Sequence, residues 1–402
     1  MAAAAEIRPV VSDAQSRSGI RPFTDDSEFD LLLACCADSS SDEHTKRIGA
    51  LLSCRLNWKR LLALVDHHRV VPQVYGELSA YSHLVPTQHL DALRSRYQNN
   101  ARKTLWFTAE LIRIVGHLES AGIKVLPYKG PVLAQTLYGE VTQRQFGDLD
   151  LLIHPADVPK AKGALRDLGY KPGIELAPQI EDVYIKTGYE CSFSSTIGQY
   201  LLELQWRIVP RFYSIDFNVA DFLDRADKID IGGRPMRTLR PEDLLLVLCV
   251  HAAKHMWVQL SWLRDIAQLT RSERLDWRAI QHEARRLGIE RIVNLNLLLA
   301  HKLLGSLSPH GGLKEETQTN VLANEILRIM KRSDHYNTES LPYFRLMMRL
   351  RERRQDRIRF LYRLATTPSL SEWTTVRFPK PLHPLYRLVR LWRLAKRLAS
   401  DS

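Results

Sequence analysis

Two aspartates in an apolar segment are the residues of this sequence best suited to chemistry. Asp148 and Asp150 precede the apolar residues 151–153, a pattern typical of a buried strand. Alternate residues of a strand point to the same face, and at about 3.3 Å per residue the two lie about 6.6 Å apart along it. Both carboxylates can therefore reach two divalent cations spaced roughly 3.5–4 Å apart. Because burying two like charges is costly unless cations neutralise them, the pair predicts a metal site.

A third carboxylate lies on a second strand-like segment. Alternation places Glu203 on the same face as Leu201 and Gln205. If this strand lies next to that of Asp148 and Asp150, the three carboxylates form a cluster. Such a cluster holds two Mg²⁺ ions and can deprotonate an attacking hydroxyl. The three acids are therefore the predicted catalytic and metal-binding residues.

Basic residues and a glycine near these acids are suited to phosphate binding. Lys129 and Gly130 stand at a predicted strand-to-helix turn, where the backbone N–H groups of a helix N-terminus favour phosphate oxygens. Glycine lets a phosphate approach the backbone closely. Arg144, four residues before Asp148, can clamp a phosphate with its planar guanidinium. Lys254 is a further candidate for phosphate contact.

The hydrophobic pattern predicts which elements position these residues. Residues 28–120 show apolar side chains at helical spacing, with Asn57 as an N-cap and a helix stop at Ala121-Gly122. Strand-like segments then alternate with helices, which predicts a small mixed sheet and an α+β fold. The helical pattern returns at Pro241. The predicted units are a flexible leader (1–26), a helical N-terminal region (27–120), a mixed-sheet core (121–239), a helical region (240–336) and a basic tail (337–402).

Several motifs together carry a family resemblance. They are Lys129-Gly130, Tyr138-Gly139, Arg144, Gly147-Asp148-Leu149-Asp150, Gly169-Tyr170 and Glu203-Leu204-Gln205-Trp206. This arrangement resembles the uncharacterised nucleotidyltransferases of the DNA polymerase β-like superfamily, over residues 58–303. The resemblance implies a polymerase β-like core with a small mixed sheet, flanked by helical N- and C-terminal regions. It also implies metal ligation by Asp148 and Asp150, a ligand or base role for Glu203, and a phosphate-holding helix beginning at Gly130.

The resemblance implies a reaction as well. A nucleoside triphosphate such as ATP would give its nucleoside monophosphate to an acceptor, with Mg²⁺ bound and pyrophosphate released. The acceptor, a small molecule or a peptide or protein group, and the base of the nucleotide stay open. Pro131 stands where the superfamily usually has Gly or Ser. That departure supports an alternative, a non-catalytic nucleotide-binding or membrane-associated scaffold that retains the fold.

Two histidines in the second helical region could belong to a different kind of site. His251 and His255 lie four residues apart on one helix face, the spacing of some zinc sites. Residue 252 is Ala rather than an acid, and no third ligand of obvious spacing follows. Histidines that support the core or face a substrate are therefore favoured over zinc ligands.

The positive charge of the chain is concentrated in its tail. The 402 residues carry a net charge of +12, and residues 345–402 contain fifteen basic and four acidic side chains. In the amphipathic segment 385–398, arginines at 387, 390, 393 and 397 share one helix face and leucines with Trp392 lie opposite. Such a helix can lie on an anionic membrane surface, contact nucleic acid or dock on its own protein. Nucleic acid is the least favoured of the three.

The composition of the chain indicates the cellular compartment in which we expect the protein. Five cysteines are scattered without CxxC spacing, which argues against disulfides and structural zinc and favours a reducing cytoplasm. No apolar run approaches the roughly 20 residues of a membrane-spanning helix, and the first residues do not have the pattern of a secretory signal. We expect a cytoplasmic biosynthetic enzyme of bacterial type, either free or peripheral to the membrane.

Overall fold

The structure is a computed structural model of the 402-residue chain. It describes residues 26–37, 41–195, 201–271, 275–306, 317–332, 340–368, 372–373, 378 and 380–400. The predicted flexible leader lies outside these residues except for Asp26. The Asp26 side chain accepts a hydrogen bond from the Phe29 backbone N–H at 3.0 Å and so caps the first helix.

The N-terminal region is helical, as predicted. Its described helices are α1 (Ser27–Cys36), α2 (Asp42–Leu52), α3 (Trp58–His68), α4 (Val71–Ala80) and α5 (Thr87–Ser120). The Asn57 side chain accepts a hydrogen bond from the Arg60 backbone N–H at 3.1 Å, which confirms the predicted N-cap of α3. The 34-residue helix α5 leads directly to the sheet.

Five described strands form the mixed sheet that the sequence predicted. They are β1 (Val125–Pro127), β2 (Asp148–Ile153), β3 (Tyr170–Pro172), β4 (Glu190–Ser195) and β5 (Leu201–Gln205), in the spatial order β1-β2-β5-β4-β3. Strands β2 and β5 are parallel and the other neighbours are antiparallel. Helices α6 (Gly130–Tyr138), α7 (Val158–Asp167) and α8 (Pro178–Thr187) lie between strands in the chain.

The two faces of the sheet have different surroundings. Leu149, Leu151 and Leu202 are buried in one hydrophobic core with Phe107 and Leu111 of α5. On the opposite face, Leu126 and Leu152 belong to a second core formed mainly by helices. The acidic side chains of β2 and β5 share this opposite face, because they alternate with the leucines of the first core.

The second core joins the two helical regions. After α9 (Val219–Asp224) and a hairpin of β6 (Asp227–Ile231) and β7 (Arg234–Thr238), the chain forms α10 (Pro241–Lys254), α11 (Leu260–Leu269), α12 (Trp277–Leu287), α13 (Glu290–Leu304) and α14 (Thr317–Arg332). Leu245 and Leu299 of this region are buried in the same core as Phe29 and Leu61 of the N-terminal helices. The hydrophobic pattern of the sequence does not indicate α9 or the hairpin.

The basic tail contains α15 (Leu341–Arg349), α16 (Arg354–Thr366) and a C-terminal helix (Tyr386–Ser400). The Arg390 guanidinium is buried 3.5 Å from the Glu372 carboxylate, and Arg393 lies 3.1 Å from the same acid. The C-terminal helix therefore docks on its own protein through part of its arginine face. Leu391 and Trp392 on its apolar side are exposed. Among the described helices, none is long and apolar enough to cross a membrane.

Candidate active site

Strand pairing brings the predicted acids together. In the parallel pair of β2 and β5, Asp150 is directly opposite Glu203, and Asp148 lies two residues before it on the same face. The antiparallel pair of β4 and β5 places Glu190 opposite Gln205. The strands are thus neighbours, as the three-carboxylate cluster requires, and Glu190 adds a fourth acid to this face.

Asp150 is the most deeply buried of these acids, with 3% of the residue exposed. Its Oδ1 accepts hydrogen bonds from Lys129 Nζ at 2.9 Å and from Gln205 Nε2 at 3.1 Å. Gln205 Nε2 also lies 2.9 Å from Glu203 Oε2, and its Oε1 accepts a hydrogen bond from the Tyr128 hydroxyl at 2.5 Å. Gln205 therefore links the acids of β2 and β5, a role that alternation alone did not assign to it.

The proximity of these acids shows in their proton affinity. Burial, followed by the carboxylates of Asp150 and Glu190, raises the pKa of Glu203 to about 8. Burial and then Asp150 also raise the pKa of Asp148. Burial is the largest single influence and lowers the pKa of Lys129, but Asp150, Tyr128 and Asp148 together raise it more, so its pKa lies above the usual range. The site therefore favours added positive charge.

This charge balance fits a divalent cation. Four acids (Asp148, Asp150, Glu190 and Glu203) line the same cavity as Lys129, Lys254, Arg69 and Arg144, and Arg144 is already paired with Asp265. Carboxylate oxygens are the ligands that Mg²⁺ prefers. Within the described residues, however, no group of three or more His, Cys, Asp or Glu side chains is arranged to hold a metal ion. The ammonium of Lys129 contacts Asp150 instead. The two-ion site on Asp148, Asp150 and Glu203 therefore stays a prediction.

Helix α6 begins at Gly130, beside the acids. Gly130 has a φ of +57°, and a Cβ there would lie 3.4 Å from the Asp148 backbone oxygen. Glycine suits both the backbone conformation and this close approach. Pro131 occupies the first turn, where its missing N–H costs no helical hydrogen bond. The N-terminus of α6 thus packs against the start of β2, next to Asp148.

The predicted phosphate clamp Arg144 is engaged by the protein itself. Its Nε and Nη2 each lie 3.0 Å from Asp265 Oδ2 in α11, and the Tyr138 hydroxyl donates to Asp265 Oδ1 at 2.8 Å. Arg144 and Asp265 are both buried. These contacts hold the segment between α6 and β2 against the helical region. Contact of Arg144 with phosphate stays a prediction. The ion pair between Arg144 and Asp265 is not indicated by the sequence pattern.

Lys254 and the two histidines lie on the wall opposite the acids. Lys254 Nζ is 4.9 Å from the centre of the Tyr189 ring. The His251 and His255 rings are 4.7 Å apart, and both contact Trp262. Burial lowers the pKa of His255 to about 3 and that of His251 well below its usual value. Both imidazoles are therefore neutral at pH 7.

A cavity of about 520 Å³ separates the acids from this wall. It is lined by Asp148, Asp150 and Glu203 on the sheet and by Lys254 and His251 on the helical side. Lys129 and Arg144 also line it. A volume of this size accommodates a ligand as large as a nucleotide. The cavity brings together the predicted site residues of the sequence analysis, with Gly130 next to Asp148.

The family of the chain follows from its sequence match. A model of a family described as uncharacterised nucleotidyltransferase matches residues 55–305, which is more than half of the chain and includes every predicted site residue. The chain belongs to this family. Membership agrees with the α+β core and with the paired acids of β2 and β5.

Comparison with solved structures gives two further similarities. The chain is similar to the antibiotic-resistance factor ANT(2'')-Ia, at 15% identity and a TM-score of 0.34, covering 45% of this chain and 91% of that one. It is also similar to an antigenic nucleotidyltransferase-like protein from Paracoccidioides brasiliensis, at 13% identity and a TM-score of 0.30, covering 52% and 96%. Among curated proteins, none matches this member of the nucleotidyltransferase family.

Proposed function

We propose that this nucleotidyltransferase moves a nucleoside monophosphate from a nucleoside triphosphate to an acceptor nucleophile, with release of pyrophosphate. The register of β2 and β5 is the observation that supports the proposal most strongly. It places Asp150 opposite Glu203 and leaves Asp148 beside the N-terminus of α6. A phosphate binder and a cluster of acids are the two parts that such a transfer requires.

Asp148, Asp150 and Glu203 are the residues that would hold Mg²⁺ in this proposal. Their excess negative charge supports the assignment, since burial and neighbouring acids raise the pKa values of Asp148 and Glu203. When bound, Mg²⁺ supplies charge stabilisation for the phosphate oxygens and lowers the pKa of a hydroxyl that it touches.

The residues of the chain have separate tasks in this reaction. The first N–H groups of α6 bind phosphate oxygens, and Lys129 provides a positive charge there. Glu203, directly opposite Asp150 in the sheet, is the carboxylate that takes the proton of the acceptor as general base. The acceptor oxygen bonds to the α-phosphorus while the bond from that phosphorus to the pyrophosphate oxygen breaks.

Replacing both aspartates tests this assignment. We expect Asp148→Asn with Asp150→Asn to abolish pyrophosphate release while circular dichroism stays unchanged. Asp224→Asn, whose side chain is 72% exposed in a surface ion pair, is the matched control and should retain full activity. Unchanged turnover in the double variant would overturn the proposal. Binding of nucleotide without any pyrophosphate release by the wild type would favour the scaffold alternative.

We propose in addition that the C-terminal helix contacts an anionic membrane surface. Leu388, Leu391 and Trp392 are exposed on its apolar side, and the basic side chains of Arg387 and Lys396 are exposed beside them. Apolar residues flanked by basic ones suit the interface of an anionic membrane. The free cysteines support a reducing compartment, so we place the protein in the cytoplasm at the membrane.

A further inference from the structure

A second cavity, of about 360 Å³, adjoins the cavity of the acids. The two share four residues, Tyr189, Glu190, Lys254 and His255. The phosphate-side residue Lys129 lines only the first cavity. The second cavity is large enough for a drug-sized ligand, and the shared wall places it next to the acids.

The walls of the second cavity are mainly apolar and aromatic. Its lining includes Ile174, Leu176, Tyr184, Ile185, Trp206 and Phe212. The Trp206 indole N–H donates to the Ile185 backbone oxygen at 2.8 Å, so its one donor is used within the protein. Tyr184 lies edge-on to Trp206 at 5.8 Å between ring centres. Trp206 and Tyr184 are only 1% and 7% exposed and lie behind the wall. The partly exposed side chains of Ile174, Leu176 and Phe212 offer the apolar surface against which a ring or an aliphatic group can pack.

The charged groups of the cavity largely compensate one another. Lys162 is ion-paired with Glu181, and Glu190 and Lys254 stand at the boundary with the first cavity. Arg211 is exposed at the surface. This balance gives no preference for a strongly charged ligand, whether cationic or anionic.

Strand order indicates which substrate this cavity serves. Across the sheet, β1 leads to Lys129 and Gly130, β2 carries the aspartates, β5 carries Glu203 and β4 carries Glu190. The proposed phosphate site therefore lies at one side of the acids, and the second cavity opens beyond Glu190 at the other. A group entering from that cavity meets Glu203 before it meets the aspartates.

We propose that the second cavity binds the acceptor, and that the acceptor is an uncharged aromatic or aliphatic compound with a nucleophilic hydroxyl. This inference rests on the proposed function. The apolar body of the acceptor packs between Ile174 and Phe212, and its hydroxyl passes Glu190 and Lys254 to reach Glu203. The hydroxyl oxygen bonds to the α-phosphorus, its proton goes to Glu203, and pyrophosphate leaves with the electron pair of the broken P–O bond.

Binding of an aromatic alcohol tests the cavity without requiring turnover. The probes are 4-methylumbelliferone and 1-naphthol, followed by their fluorescence in titrations with the full chain. Ile174 lines the cavity and is 37% exposed, so Ile174→Glu should fold normally. We expect the dissociation constant of each probe to be at least about tenfold higher for Ile174→Glu than for the wild type, a loss of about 1.4 kcal/mol of binding free energy. Ile358→Glu, at a residue 68% exposed on α16, is the matched control and should bind like the wild type.

The outcomes separate this inference from the proposed function. Equal dissociation constants in all three proteins, or no saturable binding of either probe, would overturn the acceptor cavity. Displacement of the probe by ATP with Mg²⁺ would also overturn it, because the cavity would then hold the nucleotide base. Nucleotide binding without pyrophosphate release under any condition would contradict the proposed function, while the titrations would still decide the cavity.

Discussion

Replacing Lys129 by Met removes the positive charge that contacts the buried Asp150 and keeps a side chain of similar length. Lys129 Nζ lies 2.9 Å from Asp150 Oδ1, and the two side chains are only 13% and 2% exposed. Removing one partner of a buried ion pair costs about 3–5 kcal/mol, because the other charge is left without compensation. We therefore expect the free energy of unfolding in urea to fall by about 3 kcal/mol at pH 9.

The loss should depend on pH and on magnesium. The pKa of Glu203 is raised to about 8, so at pH 6 this acid holds a proton and the cluster carries less negative charge. The loss at pH 6 should therefore be smaller than at pH 9. If the acids hold a cation, saturating Mg²⁺ should stabilise Lys129→Met more than the wild type, since it restores the missing positive charge.

An exposed ion pair provides the control for this experiment. Lys124 and Asp224 are 3.3 Å apart, with side chains 59% and 72% exposed, and such pairs contribute about 1 kcal/mol or less. Lys124→Met should therefore change the free energy of unfolding little at either pH. A loss in Lys129→Met no larger than in this control would refute the view that Lys129 balances the charge of Asp150.

Three further predictions concern other parts of the chain. Asp265→Asn leaves the buried Arg144 guanidinium uncompensated and should lower the urea unfolding free energy by about 3–5 kcal/mol; a loss below about 1 kcal/mol would contradict the ion pair. Ionising Glu203 costs stability as pH rises from its ordinary pKa to about 8. The melting temperature of Glu203→Gln should therefore fall less between pH 5 and 8 than that of the wild type. Identical pH profiles of the two melting temperatures would contradict the view that ionised Glu203 destabilises the fold. Leu391→Asp with Trp392→Asp should abolish sedimentation with anionic vesicles and leave the fold intact, whereas unchanged sedimentation would exclude this helix as the contact.

The site could be predicted from the sequence where local patterns carry the information. Alternation on a strand fixes that Asp148 and Asp150 share a face, and an apolar continuation indicates that the strand is buried. Whether Glu203 joins them depends on which strand pairs with β2, and Glu203 is 53 positions from its partner Asp150 in the chain. The sequence alone does not reveal whether β5 pairs with β2. The register of the sheet shows that it does.

Contacts between distant segments could not be predicted in this way. Arg144 and Asp265 are separated by 121 residues, so no local pattern links them. Gln205 shares the face of Glu203 by alternation, but its role depends on Asp150 in β2 and on Tyr128, which follows β1. Helical spacing likewise groups the arginines of the C-terminal helix on one face. It does not show that Glu372 draws Arg390 inward.

The short elements were missed for a different reason. Strand β3 has only three residues, Tyr170–Pro172, too few to show a period. Strand β6, Asp227–Ile231, has apolar residues only at 229 and 231, and most of it is exposed. Neither strand shows apolar alternation over the four or more residues by which a half-buried strand is identified.

The most direct test of the central claim is the fate of labelled phosphate. The wild-type chain is incubated with Mg²⁺ and ATP labelled at either the α- or the γ-phosphate, together with aromatic and aliphatic alcohols as acceptors. Transfer of the α-label to an acceptor, with the γ-label recovered in pyrophosphate, is the result that the arrangement of Asp148, Asp150 and Glu203 predicts. Transfer of the γ-label to the acceptor, or retention of both labels in ATP, would contradict it.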